Sequence, residues 1–266
     1  LFDFLLLVRN ENMKLYRRVR TWIMLGMITL LVLAISIIAK IVSDGDVDNW
    51  SMMSIETMVL FQLVTIFTVV VSADSVAGEF STGTIKLLLI RPWSRSKILL
   101  SKYISLLMFA LVQAALLYVL TFVVNMLLFG YGGSIVAQET FNSNMNPLGY
   151  MLVYYFYQFL GLIIIVTMAF MLSTVFRSSG LAIGLSIFLL LGGSTIAGML
   201  SMLDYAWVDY ILFLHLNLTQ YMGGSESSGM TGEGMTLGFS LSVLAVYYVV
   251  FIALTWLIFN KRDVAA

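Results

Sequence analysis

Six long apolar stretches follow one another along the chain, separated by short polar or charged links: residues 21–42, 52–73, 98–129, 149–175, 180–200 and 238–259. A run of about 20 apolar residues is long enough to cross about 30 Å of hydrocarbon as a helix. None of the six alternates with the two-residue period of an outer-membrane strand, so each predicts a helix. The pattern therefore predicts an all-α integral membrane protein with six spans, and residues 1–266 read as a single transmembrane domain. Residues 1–20 carry a different pattern. At about 100° per residue, Phe4, Leu5, Val8, Leu15, Val19 and Trp22 share one arc, broken only by Asn12, while Arg9, Lys14, Arg17, Arg18 and Arg20 occupy the rest. An apolar stripe opposed by basic residues predicts an amino-terminal helix lying in the membrane interface against anionic lipid.

Composition strengthens the membrane reading, with 61% hydrophobic and only 11% charged residues. The net charge of zero hides a strong asymmetry. On a six-span layout, thirteen of the fourteen Lys and Arg residues fall on one side, with Lys40 alone on the other. The opposite loops hold Asp44, Asp46, Asp48, Glu139, Asp204, Asp209, Glu226 and Glu233. Lys and Arg mark the cytoplasmic side, so both termini are expected there, in a multi-pass membrane protein. Trp22, Trp50, Trp93, Trp207 and Trp256 lie at or beyond span ends, as an interfacial belt requires. The start at Leu1 shows no small-residue cleavage site, and no removable signal peptide is read. No nucleic-acid partner is expected.

Reactive chemistry is sparse. There is no cysteine and one histidine, His215, placed by the layout in an outer loop. Two-histidine zinc sites and Cys–His nucleophiles are thereby excluded. An intramembrane enzyme would have to pair His215 with Glu226 or Glu233. The segment Gly78-Glu-Phe-Ser-Thr-Gly83-Thr84 echoes a phosphate-binding loop, but it lacks the lysine and follows no strand. No catalytic, metal or cofactor site is expected on the chain. Glu56, Gln62, Gln113, Asn125 and Gln158 are polar residues within spans. They are candidates for lining a cavity, with interhelical hydrogen bonding as the commoner role and, for Glu56, a carboxylate reaching the interface. An ion-coupled secondary transporter would need such charges near the midplane, and Glu56 is the one arguable example. The Gly180-Leu-Ala-Ile-Gly184 and Gly193-x-x-x-Ala197 patterns predict close helix packing, within the chain or across a dimer.

The link from Asp74 to Lys102 holds five Lys and Arg residues against two acids. Pro92 ends one helix there and Ser94 is placed to cap the next. Residues 79–90 carry apolar side chains on more than one face, which suits a short cytoplasmic helix pressed between the membrane domain and a partner's groove. Residues 204–215 are aromatic and apolar enough for the outer interface, while 223–234 have linker composition.

Nearly the whole chain resembles the permease subunits of bacterial type-2 ABC exporters, in the branch that includes bacitracin-resistance and sodium-export permeases. The resemblance rests on the basic lead-in from Asn10 to Trp22, Gly78-Glu79-Phe80, Gly83-Thr84, Leu87-Leu88, Arg91-Pro92-Trp93-Ser94-Arg95, Lys102, and Leu214-His-Leu-Asn217-Leu-Thr-Gln-Tyr221. It implies a permease that pairs with a second copy or close relative and with two separate ATPase subunits, which carry the ATP and Mg. It also implies a coupling helix after span two that contacts the ATPase through Glu79, Phe80, Gly83, Thr84, Ile85 and Leu88. The interfacial helix, with Val8, Leu15, Val19 and Trp22, would be a second contact. The implied cargo is an antimicrobial peptide, a lipid-like compound or a cation.

Overall fold

The computed structural model describes residues 2–42, 47–84, 93–131, 146–203, 205, 207–222 and 235–261. An amino-terminal helix α1 (Phe2–Tyr16) precedes α2 (Val19–Val42), α3 (Asn49–Ser81), α4 (Arg95–Phe129), α5 (Pro147–Val175) and α6 (Ser179–Leu200). A broken segment follows, made of a 3-10 turn (Val208–Tyr210), the one-turn helix α7 (Leu212–His215) and a second 3-10 turn (Leu218–Tyr221). The last helix is α8 (Leu237–Lys261). α2 to α6 and α8 are each long and apolar enough to cross a membrane. The protein is therefore a multi-pass membrane protein.

Side-chain bridges fix which helix ends lie together. Arg18 and Ser179 both bond Asp74, and Arg95 donates to the Asn260 carbonyl. One end of the bundle thus gathers α1, the carboxyl ends of α3, α5 and α8, and the amino ends of α2, α4 and α6. α3 packs against α2, α4, α5 and α6, which makes it the central helix. The main core surrounds it with Val64, Val71, Phe109, Leu117, Leu162 and Phe170. Small residues let α3, α5 and α6 close up toward the ion-rich end, at Ala73, Ala77, Ala169 and Ala182. Ser72 donates to the Val166 carbonyl, and the Ser173 hydroxyl accepts from the backbone of Val76 and Ala77.

Two expectations need correction here. The amphipathic stripe of residues 1–20 is not one helical face. α1 stops at Tyr16, where Thr21 and Trp22 side chains donate to the Leu15 and Tyr16 carbonyls, and α2 starts at Val19. The turn breaks the helical phase, so Val19 and Trp22 ride on α2, 73% and 64% exposed. Val8 is buried against α4, its carbonyl accepting from Ser105, and Leu15 packs on the core. The stripe's middle faces protein, while Leu5 stays exposed. Second, Trp50 does not serve in an interfacial belt. It is buried against Phe122 and Tyr131.

Candidate functional site

Among the described residues, several groups of polar side chains collect in the bundle, and one rich in ion pairs lies where α1 meets α3 and α4. Expected as the first turn of a separate coupling helix, Glu79 and Phe80 instead form the last turn of α3, which runs on to Ser81. A turn of Thr82, Gly83 and Thr84 follows, and the φ of +71° at Gly83 is a conformation that suits glycine. Those three residues are exposed. Ile85 and Leu88 fall outside the described residues. Phe80 is not a projecting anchor: it is half-buried against the main core. Ser94 does cap α4, accepting from the Lys97 amide.

Glu79 is also occupied. Its Oε1 lies 2.6 Å from Lys102 Nζ and 3.5 Å from Lys14 Nζ. Lys102, on α4 and only 4% exposed, also pairs with Glu11 Oε2 of α1 at 2.9 Å, and Lys14 pairs with Glu11. Two carboxylates and two ammonium groups thus clamp three helices together. Alongside, Asp74 Oδ2 pairs with Arg18 at 2.9 Å and Arg20 at 2.6 Å, and Asp74 accepts from the Ser179 hydroxyl. That second cluster ties the start of α2 to the start of α6.

The clamp sets a pH dependence. Burial alone would raise the Glu11 carboxyl, but Lys102 and Lys14 together hold it below its ordinary value of 4.5. A carboxylate depressed on folding contributes stability above its unfolded value and loses it as pH falls through the folded one. Packing of α1 should therefore be unchanged from neutral pH down to about 4.5 and weaken below it. Thermal midpoints measured across that range should show an acid loss in the wild type that Glu11→Gln reduces.

The second polar site surrounds Glu56. The expectation that this carboxylate reaches the interface fails, because Glu56 is fully buried. It accepts from the Ser36 hydroxyl of α2 and, at 2.6 Å, from the Asn125 amide of α4. Gln113 is buried too, accepting from Thr68 at 3.1 Å. These three residues cross-link helices and do not line the cavity described next.

Gln62 and Gln158 do line one. A cavity of about 460 Å³ opens between α3, α5 and α6 in the half of the bundle away from the clamp. Its roof is the broken segment, which dips below the helix ends. The Leu216 carbonyl lies 2.8 Å from where a Cβ on Gly161 would stand, and the Phe213 ring lies across Gly193. Gly161 is fourteen residues from either end of α5, and Gly193 seven from the end of α6. In the second small-residue pattern Gly193 and Ala197 are both buried, whereas in the first Gly180 and Gly184 face outward and Ala182 between them is buried. His215 anchors the segment, its Nδ1 bonded to Ser240 and its Nε2 to the Asp209 carbonyl. Both ring nitrogens are committed to structural bonds, and Glu226 and Glu233 lie outside the described residues. Among the described residues no group of three potential metal ligands occurs.

A family model described as a protein of unknown function, DUF2705, matches residues 22–265. The chain belongs to the DUF2705 family. This DUF2705 member is 33% identical to the "uncharacterized protein YhcI" of Bacillus subtilis strain 168, over 97% of the chain and 99% of that protein. It is 28% identical to the "uncharacterized membrane protein YdbK" of the same strain, over 95% of the chain and 99% of that protein. The second description agrees with the six apolar helices found here.

Proposed function

We propose that the protein is the permease subunit of an ATP-driven exporter, working with two separate ATPase subunits and a second permease copy or close relative. The observation that carries this reading is the clamp on Lys102. A membrane protein driven from outside the bilayer needs a handle joined rigidly to its spans. Here the exposed turn Thr82–Thr84 continues directly from α3, and Glu79 and Glu11 lock that end to α4 and α1. On the proposed topology, this end faces the cytoplasm with thirteen of the fourteen basic residues.

The mechanism follows from differential affinity. ATP, held with Mg on the partner subunits, favours their closed pairing. A permease conformation that fits the closed pair better is then populated. The turn after α3 bears on the ATPase, and the clamp makes α1, α3 and α4 move as one body. The residues assigned to the contact are Gly83, Thr84, Ile85 and Leu88. Glu79 and Phe80 act behind them as the joint. Val8 and Leu15 hold α1 on α4, so a push on α1 reaches the same body.

Ion-coupled transport is the second reading, favoured by the fully buried carboxylate of Glu56. Native mass spectrometry of the protein purified from its own membrane separates the two. The exporter reading expects two permease chains with two ATPase chains. Transport that continues in a preparation free of any ATPase, and that Glu56→Gln abolishes, would select the ion-coupled reading instead.

A further inference from the structure

The cavity beneath the broken segment has a chemical character that names the class of molecule it takes. Among the described residues, none that lines it carries a formal charge. The polar side chains lining it are amides and hydroxyls, among them Gln62, Gln158, Asn217, Tyr154, Thr65 and Ser194. The remainder is apolar, with Phe61, Leu162, Ile165 and Leu190 among it. At about 100° per residue, Met58, Phe61, Gln62 and Thr65 centre on the face of α3 opposite Glu56. The nearest in-span carboxylate is thus directed away, held by α2 and α4.

Two further observations say that the space is meant to be filled from the side. Met58 is 75% exposed, and Gln62 and Ser194 are exposed, so the cavity opens outward between α3 and α6. A glutamine amide facing hydrocarbon would lose its hydrogen bonds at a cost of several kcal/mol, so a mouth bearing one is built for polar contents. Two glycines also give up their side chains to admit the roof: Gly161 passes the Leu216 backbone and Gly193 the Phe213 ring. A volume of about 460 Å³ falls within the range of about 300–1,000 Å³ usual for small-molecule sites.

We propose that this cavity is a binding site for an uncharged amphiphile, whose hydroxyl- or amide-bearing head bonds Gln62, Gln158 and Asn217 while its apolar part lies against Phe61, Leu162 and Leu190. A charged head would be desolvated there without a counter-charge, which is strongly unfavourable. Treating this ligand as the exported cargo rests on the exporter reading, whereas the binding site itself does not.

The test uses photoreactive alkyl probes in lipid nanodiscs containing the full chain. The probes share one diazirine-bearing chain and differ in head: a neutral glucamide, a trimethylammonium or a sulfate. The neutral probe should label cavity residues saturably and be displaced by its unlabelled form, and the two charged probes should not. Gln158→Leu and Ser194→Phe should each reduce the saturable labelling about fivefold or more, the first by removing a hydrogen bond and the second by filling space. Equal labelling by all three heads, or saturable labelling unchanged in Gln158→Leu, overturns the proposal. Should Ser194→Phe fail to fold, Gln158→Leu decides alone, because it keeps nearly the same volume. The labelling is read without any ATPase, so its result is independent of whether ATPase subunits associate.

Discussion

Lys102→Met is expected to be the most damaging single substitution in the protein, costing about 3–5 kcal/mol of stability. The reason is what it leaves behind. The Glu11 and Glu79 side chains are only 10% and 12% exposed, and Lys102 is the ammonium that both approach within 3 Å. Lys14, 39% exposed, still pairs with Glu11 but stands 3.5 Å from Glu79, so Glu79 is the carboxylate left without a close partner. Removing one partner of a buried ion pair strands the other, whereas removing all partners together can be nearly neutral. The triple variant Lys102→Met, Glu11→Gln, Glu79→Gln should therefore recover most of the loss. Unfolding of the purified variants, compared as a thermodynamic cycle, reads this directly. A loss below about 1 kcal/mol for Lys102→Met would place the clamp among solvent-screened surface pairs and remove its mechanical role.

Gly161→Ala should be the second most damaging change, at about 1–3 kcal/mol for an overpacked site. The added Cβ would stand 2.8 Å from the Leu216 carbonyl oxygen, and a backbone atom cannot turn aside. The segment holding Phe213, Leu216 and Asn217 must lift, which opens the cavity roof. Gly193→Ala meets a ring instead, and Phe213 can rotate to relieve part of the contact. Its cost should be smaller. Thermal unfolding gives the order, and a cysteine at Thr219, a roof position, should become more reactive in Gly161→Ala than in Gly193→Ala.

Much of the fold was legible in the apolar runs. Every expected span lies within an observed helix, because about 20 apolar residues in sequence have few alternatives. The helix ends were less legible, and the error at α3 shows why. Asp74 and Glu79 look like the edge of a membrane span, so the apolar pattern predicts an end at residue 73. In the structure α3 continues to Ser81, because Arg18 from the α1–α2 turn, Arg20 from α2 and Lys102 from α4 arrive to pair those carboxylates. Pairing across such distances in sequence leaves no local pattern. Glu11 was missed for a related reason: it reads as one acid in a basic lead-in. Its signal was position, since it shares the face of Val8 and Leu15 at helical spacing.

The in-span polar residues divide in the same way. All five stood out as polar groups in apolar runs, yet only Gln62 and Gln158 face the cavity. Glu56, Gln113 and Asn125 have the same composition signal, yet they bond across helices: Glu56 to Ser36 and Asn125, and Gln113 to Thr68. Neighbours decide the role, and a single sequence does not name them. His215 belongs with these: as the lone histidine it drew attention as a catalytic candidate, but Ser240 and the Asp209 carbonyl take both its nitrogens.

The central claim is that an ATPase grips the turn after α3. The most direct measurement places a cysteine at Thr84, an exposed position clear of the clamp, and applies a short crosslinker in native membranes. The account predicts one dominant product, the permease joined to an ATPase subunit, with a yield that changes when ATP analogues close the ATPase pair. Absence of any ATPase adduct at Thr84, in membranes where the protein is folded and its transport is active, would contradict it.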